Sequence, residues 1–258
     1  MTGLPLLYRA VVPLDRATHR TFHLANPQRF GFARDSHRVP AVIDAFGPAC
    51  RHRPILFLPD GLGPTPVFLT GLVPAHCAPI DADGAWAGRD RPAYLRRFPF
   101  ILGGTGDAPP LVCLDDPGDP IRRDSAGAAP AEAAPLFRED GRETPLPEER
   151  VRPTADDADA ARRTMAFSRT LQDLGLLRAL TVQGRDAATG ASHAMHGVLG
   201  IDAAALAALT DQDLGRLRRE GWLAAIDAHR LSLRTLADFT RAFAPRGETA
   251  AQAQDNAA

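Results

Sequence analysis

The sequence predicts an α+β fold, and three observations carry that prediction. Four short apolar runs crowd the stretch from Ile55 to Leu114, a helical pattern opens near Thr154, and an apolar row at helical spacing closes the chain from Trp222. The runs are Ile55–Leu58, Pro66–Leu72, Phe98–Leu102 and Leu111–Leu114, divided by Gly, Pro and Asp clusters. The connections at Pro59–Thr65 and Gly103–Pro110 are short and lack helical periodicity, so each pair of runs is expected to close as an antiparallel hairpin.

The elements before these runs read as follows. Leu4–Val12 mixes apolar and β-branched residues ahead of Pro13, which predicts a first strand ended by a turn. Phe22 and Leu24, then Phe30 and Phe32 around Asn26-Pro27, predict a strand, a turn and a strand. Val39, Val42, Ile43 and Phe46 fall at helical spacing with Pro40 in the first turn, so a short helix is expected over 39–49. Pro92 likewise suits the first turn of a helix running through Leu95, which puts Arg96 and Arg97 at the junction with the third run. Residues 98, 100 and 102 are expected to share one strand face.

The stretch 115–153 is rich in Pro, Gly, Ala and charge, and reads as an irregular connection and a candidate mobile lid. Thr154, with Asp157 three residues on, predicts a helix N-terminus, and Gly175 predicts its stop. A second hairpin is expected from Leu180–Gly184 and Ser192–Ile201 about a turn at 186–190. Thr210 with Asp213 caps a further helix that Gly221 ends or bends. Trp222, Ile226, His229, Leu233, Leu236 and Phe243 then share one face, unless Ser232 caps a separate last helix. Residues 1–244 are expected to form one α+β domain, because the early strands have faces that the later helices suit, and 245–258 to form a disordered tail.

Composition narrows the function classes. The net charge is -1 and charged residues make up 24%, which argues against a dedicated nucleic-acid binder and against wholesale disorder. All 30 basic residues are arginine. This reflects coding bias or a use of the planar guanidinium fork for carboxylates or phosphates. Without lysine, Schiff-base and P-loop chemistry are excluded. Cys50, Cys77 and Cys113 form no paired motif, which points to free thiols in a reducing compartment, most simply as small buried hydrophobes. With no apolar segment of signal or membrane-span length, a cytoplasmic location and no membrane span are expected.

No strong catalytic motif is present. His193 and His196 lie three apart in a predicted strand, which sends them to opposite faces. Cys50, His52, His76 and Cys77 lack the knuckle spacing of zinc ligands, so neither metal nor cofactor is expected. Gly103 to Gly106 follows a strand but no helix N-terminus comes after it, so it lacks the mechanism of a phosphate loop. Asp115-Asp116 with Pro117 and Gly118 offers clustered carboxylates, or simply a turn. His229 is either a hydrogen-bonded core histidine or a site residue. Arg96 and Arg97, flanked by Tyr94 and Phe98, form an anion clamp or a structural pair. The substrate-binding residues expected are therefore Tyr94, Arg96, Arg97 and His229, with His19 and Asp115 beside them.

Several blocks carry a family resemblance: Leu14-Asp15-Arg16 with His19, Val39-Pro40, Pro54 to Phe57, Pro92 to Phe100, Pro135-Leu136-Phe137, the helix over 206–221, and Ala228-His229 with Leu231-Ser232-Leu233. In these the chain resembles the SapC-like proteins, bacterial chains of similar length named after a surface-layer-associated protein. His19 and His229 match family positions, whereas Cys50, His52, His193 and His196 are peculiar to this chain. The resemblance implies a link to a surface layer and assigns no catalytic residue; with no signal peptide read, either that link is exerted from inside the cell on synthesis, modification or export, or the family name reflects only one member. It is compatible with a binding or assembly protein that meets a protein or peptide partner. The alternative is an enzyme or substrate-handling accessory with an Arg/His-lined pocket for an anionic or peptide substrate.

Overall fold

The computed structural model describes residues 4–26, 28–59, 63–73, 76–88, 90–103, 111–116, 120–123, 133–185 and 191–236, with backbone alone at 152–158 and 185. The loop 104–110, the turn 186–190, Phe243 and the tail 245–258 lie outside the described residues. In chain order the first half carries β1 (Val11–Pro13), α1 (Arg16–His19), β2 (Phe22–Leu24), β3 (Arg38–Pro40), α2 (Phe46–Ala49), β4 (Ile55–Leu58) and β5 (Thr65–Leu69). Then come α3 (Ala93–Arg97), β6 (Phe100–Gly103), β7 (Leu111–Asp115), β8 (Ile121–Arg123) and β9 (Ala134–Pro135). The chain continues with α4 (Pro145–Asp173), β10 (Leu177–Arg185), β11 (Ser192–Ile201), α5 (Ala203–Ala207), α6 (Asp211–Arg219) and α7 (Trp222–Leu233).

The fold is α+β, with strands in three antiparallel sheets ordered β10-β11-β4-β5-β3, β1-β7-β6 and β8-β2-β9. Both predicted hairpins of the first half form, with Ile55 opposite Phe68 and Phe100 opposite Leu114. β4 is apolar at every position because it lies inside its sheet and both its faces are covered. Ile55 and Phe57 point into a core with Phe46, Phe167, Trp222 and Ile226, while Leu56 points into a second core with Val67, Leu69 and Val198. In the first of these, the Phe46, Phe57 and Phe167 rings meet edge-on or tilted at centroid distances of 6.1–6.5 Å. The other two sheets enclose a third core built on Phe22, Leu24, Phe100 and Leu114. Gly221, at φ +73°, turns the chain between α6 and α7 in a backbone conformation that costs glycine nothing.

Several expectations are corrected. α4 begins at Pro145, after Thr144, rather than at Thr154, so 115–153 carries β8, β9 and the first turns of a helix in place of an irregular connection. Pro145 and Pro147 are tolerated because first-turn N–H groups have no intrahelical partner to lose. The Thr144 hydroxyl donates to the Pro135 carbonyl (2.8 Å), which ties the helix start to β9. Residues 38–40 are a strand rather than a helix start, and β3 pairs with β5. Gly31–Ala33 is a single 3₁₀ turn, so Phe30 and Phe32 belong to no strand. Of Leu4–Val12 only the end joins β1, and Phe98 precedes β6, stacking on Phe32 at 4.5 Å in place of sharing a strand face.

Candidate functional site

α4 has two working faces above the five-stranded sheet. Phe167 and Leu171 enter the core, while Ala161, Thr164, Met165 and Ser168 form a stripe at helical spacing that turns towards α3 and β5. Between the stripe and those elements lies a pocket of about 330 Å³. Its floor is apolar: Ala41, Pro66 and Phe68 are buried there, with Val42 and Ala45 beside them. Tyr94 and Arg97 of α3 form one wall, and Arg169 of α4 stands at the mouth with the exposed Ala161 and Met165. Among the described residues that line it there is no Asp, Glu, His or Cys.

The polar groups of the pocket differ in their commitments. Thr164 is fully used, its hydroxyl accepting from the Ile43 N–H (2.9 Å) and donating to the Ala160 carbonyl (2.6 Å). Ser168 is 2% exposed and its hydroxyl has no hydrogen-bond partner among the described residues. The half-buried Arg97 guanidinium lies 4.5 Å from the Tyr94 ring centroid, a cation–π contact that fixes its plane. The Tyr94 hydroxyl donates to the Leu6 carbonyl and the Tyr8 hydroxyl to the Phe100 carbonyl (2.7 Å), so the segment before β1 is strapped beside this wall. Burial pushes the Tyr8 hydroxyl up to about 12, with the Arg97 charge pulling the other way; the Tyr94 hydroxyl is raised for the same reason. Both phenols are therefore neutral donors at physiological pH.

The chain's family follows from most of its length rather than from this pocket alone: the SapC family model matches residues 14–239. The chain belongs to the SapC family. No match was found among curated proteins or among solved structures. Of the blocks that carry the resemblance, Pro92 to Phe100 contributes Tyr94 and Arg97 to the pocket wall, and Ala228 to Leu233 is the stretch of α7 that carries His229. Among the described residues no helix is long and apolar enough to cross a membrane.

Of the six residues singled out in the sequence, only Tyr94 and Arg97 line the pocket. Arg96 is exposed, and its carbonyl accepts from the Arg150 guanidinium (2.6 Å), which ties α3 to α4. Asp115 is 1% exposed at the end of β7; one carboxylate oxygen accepts from the Arg9 and Ala10 N–H groups (2.6 and 2.7 Å), while the other has no partner among the described residues. His19 is buried against Phe22, its Nδ1 accepting from the Asp15 N–H (2.9 Å) and its Nε2 standing 3.9 Å from Asp116.

His229 sits in the core, where β4 and β11 diverge beyond their pairing at Leu199 and Phe57. Its Nε2 accepts from the Ile201 N–H (3.0 Å), and the Ser232 hydroxyl, one turn on, accepts from the Ile55 N–H (2.9 Å). Two strand N–H groups that lack a ladder partner are thereby satisfied from one helix. Burial pushes the imidazole down to about 4, the Ile55 backbone offsetting only part of this. Sequence reasoning missed Ser168, Arg169 and the floor at Pro66 and Phe68. The signal for the first was present in the 161, 164/165, 168 spacing on a helix read only for its start and its stop.

Proposed function

We propose that this SapC-family protein is a binding protein whose pocket holds an apolar ligand bearing an anionic group. The observation that supports the reading is an apolar floor beneath a wall and mouth that carry the guanidiniums of Arg97 and Arg169, with the buried Ser168 hydroxyl, which has no hydrogen-bond partner among the described residues, lining the same pocket. The pocket hydroxyls have no imidazole or carboxylate beside them among those residues, so nothing there serves as the base of a nucleophile, which favours binding over catalysis. In this reading Tyr94 and Arg97 face the ligand. Asp115 holds the strap behind them, His19 and His229 support the frame, and Arg96 contributes through its backbone. The cargo is a small component or peptide segment handled for a surface layer, as the family resemblance implies. The test uses anilinonaphthalene sulfonate, an apolar anion that fluoresces when sheltered from water. Saturable enhancement by the native protein, abolished in Ala161→Trp, where an indole at the exposed mouth fills the pocket, is the expected result. Equal enhancement in that variant, at unchanged circular dichroism, would refute it.

A further inference from the structure

We infer that Ser168 is the residue that sets the pocket's specificity, and that its ligand carries an uncharged carbonyl within an apolar chain, as a keto or ester-linked acyl chain does. This deepens the pocket reading above and rests on it. The buried hydroxyls of Thr70, Thr164 and Ser232 each donate to a main-chain carbonyl at 2.6 Å. Those of Thr164 and Ser232 bond back to the preceding turn of their own helix, the usual outlet for a helical hydroxyl. Ser168 lies one turn after Thr164 in α4, is 2% exposed, and takes no such outlet. Its hydroxyl has no partner among the described residues, yet the residue lines the pocket. A buried hydroxyl left unpaired is costly, so the acceptor that Ser168 lacks belongs to what fills the pocket.

The rest of the lining says what kind of acceptor that is. The Thr164 hydroxyl is spent, and so are the nearby main-chain donors: the Ala41 N–H goes to the Pro66 carbonyl (3.0 Å) and the Ile43 N–H to Thr164 (2.9 Å). Pro40, Pro64 and Pro66 have no N–H to offer. The Arg97 guanidinium is engaged with the Tyr8 and Tyr94 hydroxyls. A ligand group that meets Ser168 therefore enters a pocket with an apolar floor of Ala41, Pro66 and Phe68, where every further polar atom would need a partner of its own. A ketone or ester carbonyl accepts one hydrogen bond and brings no donor. A peptide fits less well, because each of its carbonyls comes with an N–H to satisfy.

The experiment is calorimetric titration of the full chain with dodecanoate and with three keto derivatives, bearing the carbonyl near the head, at mid-chain and near the tail. All four share one chain length and one carboxylate, so whatever the guanidiniums contribute cancels between them. In the native protein one keto isomer is expected to bind at least about fivefold more tightly than the other two, because only one position meets Ser168. Ser168→Ala is expected to weaken that isomer about five- to tenfold, remove the dependence on position and leave dodecanoate within about twofold. Ser168→Cys, of similar shape but a far weaker donor, should behave as the alanine variant does. If the keto isomers rank alike in native and Ser168→Ala protein, the inference is overturned, and saturable binding of dodecanoate would then leave the pocket reading standing. If no compound binds saturably and Ala161→Trp matches the native protein throughout, both fall.

Discussion

Replacing His229 by glutamine tests the frame of the protein through its pH dependence. In the native chain Nε2 accepts from the Ile201 N–H, so the ring is neutral with its proton on Nδ1, and protonating Nε2 would set two donors against each other. The folded value is about 4, below the ordinary value of 6.5. Between those values the unfolded chain binds more protons than the folded one, so stability is complete above the window and falls as pH is lowered through it. Lowering the pH from 7.5 to 5 therefore removes about 2 kcal/mol through this residue, and the loss approaches about 3 kcal/mol near pH 4. A glutamine carbonyl keeps an acceptor for Ile201 but never charges. The variant loses ring packing on Phe57, whose centroid lies 5.3 Å from the imidazole, and is expected to be about 1–2 kcal/mol less stable at pH 7.5. Urea unfolding at both pH values should show that gap narrowing by about 2 kcal/mol at pH 5, other acid-sensitive groups cancelling in the difference. A gap that does not change, or an imidazole resonance titrating near 6.5, would refute the assignment.

Two further outcomes follow from single side chains. Asp115→Ala strands the Arg9 and Ala10 N–H groups and is expected to cost about 2–3 kcal/mol and expose the strap to proteolysis, whereas Asp115→Asn keeps a carbonyl for both donors and should cost far less; equal losses would show that the charge, not the acceptor, matters. Ser168→Ala removes a buried hydroxyl without a described partner, so the empty protein is expected to gain about 1 kcal/mol in urea unfolding, and a loss of stability would point to a structural bond there.

The fold was legible where local chemistry and tertiary context agree. β4 and its hairpin partner announce themselves because both faces are buried, and Thr210 announces α6 because its hydroxyl meets the Asp213 N–H directly (3.2 Å). The start of α4 was hidden because prolines read as breakers, whereas Pro145 and Pro147 fall in its first turn and the helix continues through Pro153. The segment before β1 looks like a strand, yet its N–H groups are taken by a carboxylate about a hundred residues away, which no local pattern encodes. The candidate site was half legible for the same reason. Tyr94 and Arg97 stand in a distinctive block, but the pocket exists only where α3, α4 and β5 meet. His229 could be placed on an apolar seam from spacing alone, whereas its role depends on two strand N–H groups that spacing cannot show.

The pairing of β11 with β4 also bears on how the protein is made. Phe57 finds Leu199 only after all the intervening chain has been synthesised. At ordinary translation speeds that takes on the order of ten seconds, during which one side of an entirely apolar strand has no ladder partner. The nascent chain is therefore exposed to mispairing at β4 for that interval, and shielding by a chaperone or by the ribosome surface would act there first.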